Sequence, residues 1–513
     1  MTAFSRLRAL TACLTVLFVL GGCSLAPKYE RETFDMPSQW RKVNLATQPL
    51  YTDWWKRFND PVLTALVEEA LKNNLDLSEG MAKIESAAAQ AGVATSALFP
   101  LVSGSAGAAA QSSSERAANY NAQANRANTT YQGALSAAWE LDFWGKYRNQ
   151  RTMLTDVLMS TLLSQEALRL SIASQTAQSY FALLALDMQL ATANRTLKSR
   201  EESFGIYTSR YQQGDITELD WQRARAEVET ARSQLHSAMV AVDSAEAGLA
   251  VLLGRSPREI MDGTIARGRT IENMPSPPVL PEGLPSDLLM RRPDVRAAEF
   301  LVMAYNANIG VARAQFFPSI SITGALGTLS ASFGHLFTNP SGTWNYGATA
   351  SVPLLDFGYN WYNLKDAEAQ KKAAIAVYRK TVGEAFSDIR SAYVAQREAN
   401  AIVESYQTQV KSLRRAVDIA RLQYDNGYSD YLTVLDAERQ LFSAELSLAN
   451  ALRDRLYAVV GMCMALGGGW QDPGVTPGPV LVDSEALVEA QRTAGQKTPA
   501  PATAAAPAAA APR

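Results

Sequence analysis

The chain has 513 residues, of which 47% are hydrophobic and 19% are charged, a composition typical of an ordered protein long enough to bury several cores. The formal net charge of −2 provides no basic surface that would favour nucleic acid or an anionic surface as a partner. A mean hydropathy of −0.11 excludes a protein built from many transmembrane helices.

The N-terminus has the pattern of an export signal, predicted to occupy residues 1–22. Arg6 and Arg8 form a basic start, and the apolar stretch 9–20 is shorter than the roughly 20 residues that span a bilayer. Leu-Gly-Gly then precedes Cys23 in a pattern that resembles a bacterial lipobox. We therefore expect Cys23 to carry diacylglycerol and an N-linked acyl chain, and we expect no other cofactor. Ser24, rather than Asp, resembles the signal that sorts lipoproteins to the outer membrane.

An ordinary cleavage site with an incidental cysteine is the alternative explanation of this N-terminus. The number of cysteines also decides whether disulfide bonds can form in the mature chain. Cys13 leaves with the signal, Cys23 would be acylated, and Cys463 then stands alone, so the mature chain has no disulfide framework. We expect Cys463 to be a small buried hydrophobic residue.

Proline placement predicts very long helices. No proline occurs in residues 101–256 or 354–472, and both tracts are rich in Ala, Leu, Gln, Glu and Arg. Each tract is interrupted once by Tyr-x-x-Gly, ending at Gly214 and at Gly427, which is a turn signal after a helix end. Residues 144–210 as one helix would form a rod of about 100 Å, which suits a protein that spans a compartment.

An internal duplication divides the chain into two similar halves. Leu71–Pro100 aligns without gaps on Leu289–Pro318, and the Leu-Asp-Phe at 141–143 matches the Leu-Asp-Phe at 355–357. Each half is therefore predicted to run through a helix, a pair of strands, a long helix, a turn and another helix.

The predicted strands, within about 101–143 and 318–357, alternate apolar with small polar residues. This period of two is typical of transmembrane barrel strands, although a soluble β-sandwich face alternates in the same way. Two hairpins provide four strands, and a four-stranded sheet cannot close around a pore. If the strands cross a membrane, several chains must share one barrel, and three copies would supply twelve strands and twelve long helical passes.

The predicted division of the chain follows from these features. The signal peptide is 1–22, the lipidated N-terminal and equatorial segment is 23–60, and the first repeat is 61–255 with its tip near 211–220. The inter-repeat linker is 256–285, the second repeat is 286–470 with its tip near 424–436, and 471–513 is an equatorial segment with a disordered Ala/Pro tail.

Several motifs in combination resemble the NodT type of outer-membrane efflux lipoprotein, a TolC-like family. They are residues 22–29 (GCSLAPKY), 54–61 (WWKRFNDP), 291–299 (RRPDVRAAE), 309–318 (IGVARAQFFP) and 431–439 (YLTVLDAER). The resemblance covers roughly residues 20–470. It implies an α+β membrane protein, in which a trimeric shared β-barrel with four strands per chain continues into a long periplasmic α-helical barrel.

The resemblance also implies partners and a function. Such homotrimers sit in the bacterial outer membrane, contact its lipid, and dock on a periplasmic adaptor (membrane fusion) protein. The adaptor links them to an inner-membrane pump, here expected to be of the resistance–nodulation–division type. The chain would be a passive, non-enzymatic exit duct for drugs or other small solutes.

The family resemblance points to a periplasmic gate beside the tip turns. Asp436 and Asp220 resemble acidic gate positions, and Leu432 occupies a position of apolar constriction. Thr433, the repeat partner of Asp220, departs from relatives with two aspartates in that turn. A ring of three carboxylates would repel anions and bind cations. A solvated Asp near a helix end is the simpler alternative, and the two Tyr-x-x-Gly segments are better explained as turn signals.

Other classes of function have less support from the residues. The two histidines, His236 and His335, lie in dissimilar contexts, and no Walker or dinucleotide motif is present, so an enzyme is not predicted. A periplasmic adaptor would show one helical hairpin with lipoyl-like strands, and a structural coiled-coil lipoprotein would lack strands. Within the channel class, the exit duct of a type I protein-secretion system is the alternative.

Overall fold

The computed structural model describes residues 24–35, 53–116, 127–277 and 291–470. The predicted signal peptide, Cys23 and the predicted tail lie outside the described residues. The described helices and strands are α1 (Pro61–Asn73), α2 (Leu75–Ser96), β1 (Leu101–Ser112), β2 (Ala127–Leu141), α3 (Lys146–Gln213), α4 (Glu218–Leu252), α5 (Pro257–Asp262), α6 (Pro293–Ala314), β3 (Ser319–Ser330), β4 (Gly342–Ser351), α7 (Tyr359–Asp425) and α8 (Tyr431–Ala465).

The described strands form one antiparallel sheet in the order β1-β2-β3-β4. The two predicted hairpins are joined through β2 and β3, where Leu135 lies opposite Leu326 and Trp139 lies opposite Ile322. Within the described residues, one edge of β1 and one edge of β4 have no partner strand. The sheet is therefore open at both sides.

The sheet has one apolar and one polar face, because side chains alternate along each strand. Cross-strand pairing places the aromatic and aliphatic side chains of neighbouring strands on the same face. The apolar face carries Val102, Ala106, Ala108, Tyr131, Leu135, Trp139, Ile322, Leu326, Trp344, Tyr346 and Ala348. The other face carries Ser103, Ser105, Gln132, Ser136, Glu140, Ser321, Thr323, Asn345, Thr349 and Ser351.

The long helices α3 and α7 leave the sheet in the same direction. They contain 68 and 67 residues, which corresponds to about 100 Å each. The shorter helices α4 and α8, with 35 residues each, return alongside them. Neither α3 nor α7 contains proline, so the backbone hydrogen bonds of each run without interruption.

The helices α2 and α6 begin where α4 and α8 end. The Asn74 side-chain amide donates a 2.9 Å hydrogen bond to the carbonyl oxygen of Leu252. In the second half, the Arg292 guanidinium donates to the carbonyl of Ala465, and it also binds Asp294 and Asp388. A cation next to terminal helix carbonyls is favourable, so the Arg-Arg-Pro-Asp motif acts as a joint between two helices.

The largest described cluster of buried side chains lies at the middle of the helical part. Trp54 and Phe58, in a 3-10 turn, pack with Tyr180 and Phe181 of α3. Cys463 of α8 belongs to the same cluster and is fully buried, which confirms its prediction as a small core residue. Burial raises the pKa of the Cys463 thiol to about 12, so this thiol stays protonated and unreactive at neutral pH.

The N-terminal segment 24–35 runs along α3, α6 and α7 as an extended strap. At its start, the Ser24 hydroxyl donates to Asn149 of α3 at 2.9 Å. Further along, Asn306 of α6 donates to the carbonyl of Pro27 at 2.8 Å. These side-chain contacts hold a segment that makes no regular secondary structure of its own.

A buried carboxylate fastens the middle of this strap. Glu299 of α6 is 1% exposed and binds Arg31 of the strap at 2.6 Å and Arg296 of α6 at 2.5 Å. The Tyr29 hydroxyl donates to the same carboxylate at 3.3 Å. The two guanidinium groups compensate the cost of burying this charge.

We expect Glu299→Ala to lower the free energy of unfolding by about 3–5 kcal/mol, because it leaves the buried Arg296 without its carboxylate. Chemical denaturation in detergent measures this loss. The matched control is Glu229→Ala, which removes an exposed pair with Arg232 and should cost less than about 1 kcal/mol. Equal losses in the two variants would contradict the conclusion that Glu299 holds the strap against α6.

Asp156 of α3 is a buried carboxylic acid. Burial alone raises its pKa to about 7. At pH values below the unfolded-state pKa of about 4, the raised pKa of Asp156 does not lower the free energy of unfolding. As the pH rises from about 4 to about 7, it lowers that free energy by an increasing amount. Asp156→Asn should therefore stabilise the protein at pH 8 and change it little at pH 4. Thermal melting at both pH values checks this, and an equal effect at both would contradict it.

Candidate functional site at the helical tips

The ends of the helices remote from the sheet carry the two predicted tip turns. Gly214 and Gly427 follow α3 and α7 and have φ values of 81° and 75°, a region that favours glycine. After α3, the Asp215 N–H donates to the Arg210 carbonyl at 2.9 Å. After α7, Tyr428 donates to Gln423 at 2.8 Å. Both turns therefore satisfy helix-end carbonyls in the manner of a Schellman motif.

The returning helices α4 and α8 begin with different N-cap residues, Thr217 and Asp430. The Thr217 hydroxyl of α4 accepts from the Asp220 N–H at 3.2 Å and donates to the Asp220 carboxylate at 2.8 Å. At α8, the Asp430 carboxylate accepts from the N–H and the hydroxyl of Thr433 at 3.0 and 2.8 Å. These bonds hold the pKa of Asp430 below its usual value. The positions of the acid and the threonine are thus exchanged between the two turns: Asp430 and Thr433 take the places of Thr217 and Asp220.

The predicted gate residues lie in the first two turns of these helices: Asp220 and Leu432 in the first turn, and Asp436 in the second. Asp220 is partly buried and lies 3.6 Å from the Arg223 guanidinium. Leu432 and Asp436 are four residues apart on an exposed face of α8, where Gln440 donates to Asp436 at 2.6 Å. The geometry of one chain brings Leu432 and Asp436 onto a common surface, and their role in a gate stays a prediction.

Three tyrosines pack together behind these turns, and the motif search missed them as a group. The rings of Tyr207, Tyr424 and Tyr431 lie 4.7–5.8 Å apart between centroids. Burial raises the pKa of Tyr207 and of Tyr431 above the usual value, so both phenols remain neutral. The cluster packs α3 and α7 against the start of α8.

Ion pairs also fasten the two hairpins to each other near the tips. Arg210 of α3 lies 3.2 Å from Asp425 of α7. One turn further from the tip, Arg421 of α7 binds Glu438 of α8 at 2.6 Å and the Ser199 hydroxyl of α3 at 3.0 Å. The contacts Arg210–Asp425 and Arg421–Ser199 join residues more than 200 positions apart, so local sequence patterns carry no signal for them.

A buried carboxylate on α4 completes this fastening. Glu227 binds Arg200 of α3 and Arg439 of α8. Glu227 therefore links α4 to α3 within the first hairpin, and it also links α4 to α8 of the second hairpin. The arrangement of charges and rings is suited to holding four helix ends in one position. Within the described ranges, no group of three or more His, Cys, Asp or Glu side chains is arranged to hold a metal ion.

Comparison with known proteins relates this architecture to a family. The family described as "Outer membrane efflux protein" matches residues 66–255 and 284–468. The cation efflux system protein CusC of Escherichia coli is 32% identical over 463 residues, which cover 89% of this chain and 98% of CusC. The probable outer membrane lipoprotein SilC of Salmonella typhimurium is 31% identical over 471 residues, covering 89% of this chain and 98% of SilC.

A solved structure agrees with the fold. The crystal structure of the Campylobacter jejuni CmeC outer membrane channel superposes with a TM-score of 0.83 at 26% identity. The match covers 91% of this chain and 98% of CmeC. The sheet, the long helices and the helical tips thus belong to a known channel fold. The chain is a member of the outer membrane efflux protein family.

Proposed function

We propose that this chain is the outer-membrane channel subunit of a tripartite efflux pump, a passive exit duct for drugs or other small solutes. The observation that carries the proposal is an open-edged, four-stranded sheet with one apolar face, joined to helices of about 100 Å. A sheet of this kind suits the membrane, and helices of this length suit a crossing of the periplasm.

Three copies would close one barrel. In lipid, each unpaired backbone group at a sheet edge costs several kcal/mol, so the free edges of β1 and β4 need partners. Pairing β4 of one copy with β1 of the next removes every edge and yields twelve strands, within the range of known barrels. The polar face of the sheet would line the pore and the apolar face would contact lipid.

Exposed apolar side chains on the helices support the same assembly. Met239, Val240 and Val251 of α4 and Ile402 and Leu422 of α7 are all exposed in the single chain. Among the described helices, only α4 is long and apolar enough to cross a membrane, by length and composition alone, and most of that stretch is uncovered. Packing of these faces against neighbouring copies would bury them in a helical barrel.

An internal duplication fits this architecture. The paired elements α2 and α6 have 22 residues each, β1 and β3 have 12 each, and α4 and α8 have 35 each. Each half of the chain also matches the family description separately. A trimer of two-fold repeats would place six similar units around the pore axis.

The proposed partners follow from the efflux role. CusC is named as part of a cation efflux system, which favours an efflux duct over a protein-secretion duct. We propose docking on a periplasmic adaptor and an inner-membrane pump of the resistance–nodulation–division type, which would supply the energy. The acyl chains expected on Cys23 would anchor the strap 24–35 to the membrane.

The proposed gate is a ring at the helical tips. Three copies would bring together three Asp436 carboxylates, three Asp220 carboxylates and three Leu432 side chains. Rings of like charge and apolar constrictions control passage in other pores. The ion pairs Arg210–Asp425 and Arg421–Glu438 would hold the closed position until an adaptor binds.

The double variant Asp220→Ala with Asp436→Ala should loosen the closed tip and raise single-channel conductance severalfold, because both carboxylates and their local bonds are removed. Planar-bilayer recording of the purified protein measures this. The control is Asp243→Ala, an exposed carboxylate of α4 distant from the tip, which should leave conductance unchanged. Unchanged conductance in the double variant would remove these residues from the gate, whereas absence of channels in the wild type would contradict the channel itself.

Cys23→Ser should abolish incorporation of radiolabelled palmitate, since the thiol is the expected attachment point. Labelling of whole cells followed by immunoprecipitation tests this. Cys463→Ser is the control, because this thiol is buried in the core and should not affect labelling. Persistent labelling of the Cys23 variant would rule out the anchor.

A further inference from the structure

A cleft lies between the two helical hairpins of one chain. It is bounded by α3, α7, α8 and residues 267–272 of the segment between the repeats, and its volume is about 640 Å³. Its floor is apolar, with Leu184 of α3, Val410 of α7 and Leu448 of α8. A cavity of this volume is within the range of binding pockets in proteins.

The walls of the cleft carry more cations than carboxylates. The cationic side chains are Arg195, Arg267, Arg269, Lys411, Arg414 and Arg415, and the acidic side chains are Asp187, Glu272, Asp418 and Glu445. The lining therefore has a net charge of +2. Lys411 and Arg415 lie one turn apart on an exposed face of α7. An apolar floor beneath cationic walls favours an occupant that has both apolar side chains and carboxylates.

Ion pairs between the surrounding elements fix the shape of the cleft. Glu445 of α8 lies 2.6 Å from Arg414 of α7 and 3.5 Å from Arg195 of α3. Arg267 of the segment between the repeats lies 2.9 Å from Asp187 of α3. The cleft is therefore part of the folded chain and does not depend on an occupant to form it.

Beyond the last described residue, the sequence contains a segment of matching chemistry. Residues 480–489 (VLVDSEALVE) include Asp483, Glu485 and Glu489 and no cationic residue, so their net charge is −3. Apart from Ser484, the other residues of this segment are apolar. The stretch that follows, 493–513, contains no Asp or Glu. Both the charge and the apolar content of 480–489 thus complement the cleft.

The chain between the described residues and this segment is long enough to reach the cleft. Helix α8 ends at Ala465, and Trp470 packs against buried residues of α2, α3 and α6. Leu448 on the floor of the cleft precedes Ala465 by 17 residues, which is about 26 Å along the helix. Residues 471–480 include three prolines and span about 31 Å at roughly 3.1 Å per residue.

We propose that residues 480–489 bind in the cleft of their own chain. Their apolar side chains contact the floor, and the carboxylates of Asp483, Glu485 and Glu489 lie beside the cationic walls. The segment then joins α3 of the first hairpin to α7 and α8 of the second hairpin, at a point between the sheet and the tips. Because a single chain forms the cleft, this proposal does not rest on the shared barrel or on the channel.

Photo-crosslinking of the full-length protein tests this placement. The probe p-benzoylphenylalanine at Leu487 should link to peptides that contain residues 184–195, 407–418 or 445–448 of the same chain, as identified by mass spectrometry. The same probe at Val482, in a second protein, ensures that the bulk of one probe does not decide the result. The control position is Ala508, in the stretch without Asp or Glu, and it should give none of these links.

Three outcomes of this experiment would overturn the proposal. Links from Ala508 to the same peptides would show that the tail approaches the cleft without selecting 480–489. Links only to another copy would assign the cleft to the tail of a neighbouring chain. The absence of links from both Leu487 and Val482 would leave the cleft to a different occupant.

A charge exchange tests how the segment is recognised. Lys411→Glu with Arg415→Glu should abolish the links from Leu487, because the carboxylates of the segment would then face carboxylates. Adding Asp483→Lys with Glu485→Lys should restore the links, since opposite charges again face each other.

The matched control reverses two other exposed charges of α7, as Lys372→Glu with Lys380→Glu, and should leave the links intact. Links that survive reversal of Lys411 and Arg415, or that the charge exchange does not restore, would overturn recognition by these two cations.

Discussion

A four-stranded sheet with two free edges constrains everything else in this structure. Backbone amides and carbonyls along β1 and β4 have no partner within the described chain, and lipid provides none. The sheet therefore suits a membrane only when copies of the chain complete it. The exposed apolar side chains of the long helices are consistent with the same requirement for neighbouring copies.

The helical part extends the geometry of the sheet over a large distance. Each strand pair leads directly into one long helix, so the spacing of the strands sets the spacing of the helices below them. Joints such as Asn74 with Leu252, and Arg292 with Ala465, place shorter helices end to end beside the long ones. At the far end, tyrosine packing and ion pairs hold the two hairpins together. The regions that would need to move in a gate are thus held both by aromatic packing and by ion pairs.

Local patterns in the sequence are sufficient to predict the helices, strands and turns, but not the contacts between distant segments. The absence of proline predicts α3 and α7, and Tyr-x-x-Gly predicts the turns at Gly214 and Gly427, because both effects act within a few residues. The pairing of β2 with β3 joins distant segments, and no periodicity specifies a partner strand. The same holds for Glu299 with Arg31 and for Arg421 with Ser199, whose geometry depends on the finished helical packing.

At the candidate gate, too, sequence motifs identify some residues, whereas others are identified only by contacts between distant segments. Asp220 and Asp436 are identified through resemblance to a family motif, and they lie in the first and second turns, respectively, of the returning helices. The sequence analysis does not identify the capping role of Asp430, although Asp is a favoured residue immediately before a helix. The tyrosine cluster and Glu227 act through contacts between hairpins, which only the assembled fold reveals.

The most direct test of this account is the mass of the purified, detergent-solubilised protein, with the bound detergent subtracted. Shared closure of the sheet predicts the mass of three chains, held in a band that converts to the single-chain form only on heating. A single-chain mass at native temperature would mean that the free edges of β1 and β4 are not closed by other copies. The membrane barrel, and the channel built on it, would then have to be abandoned.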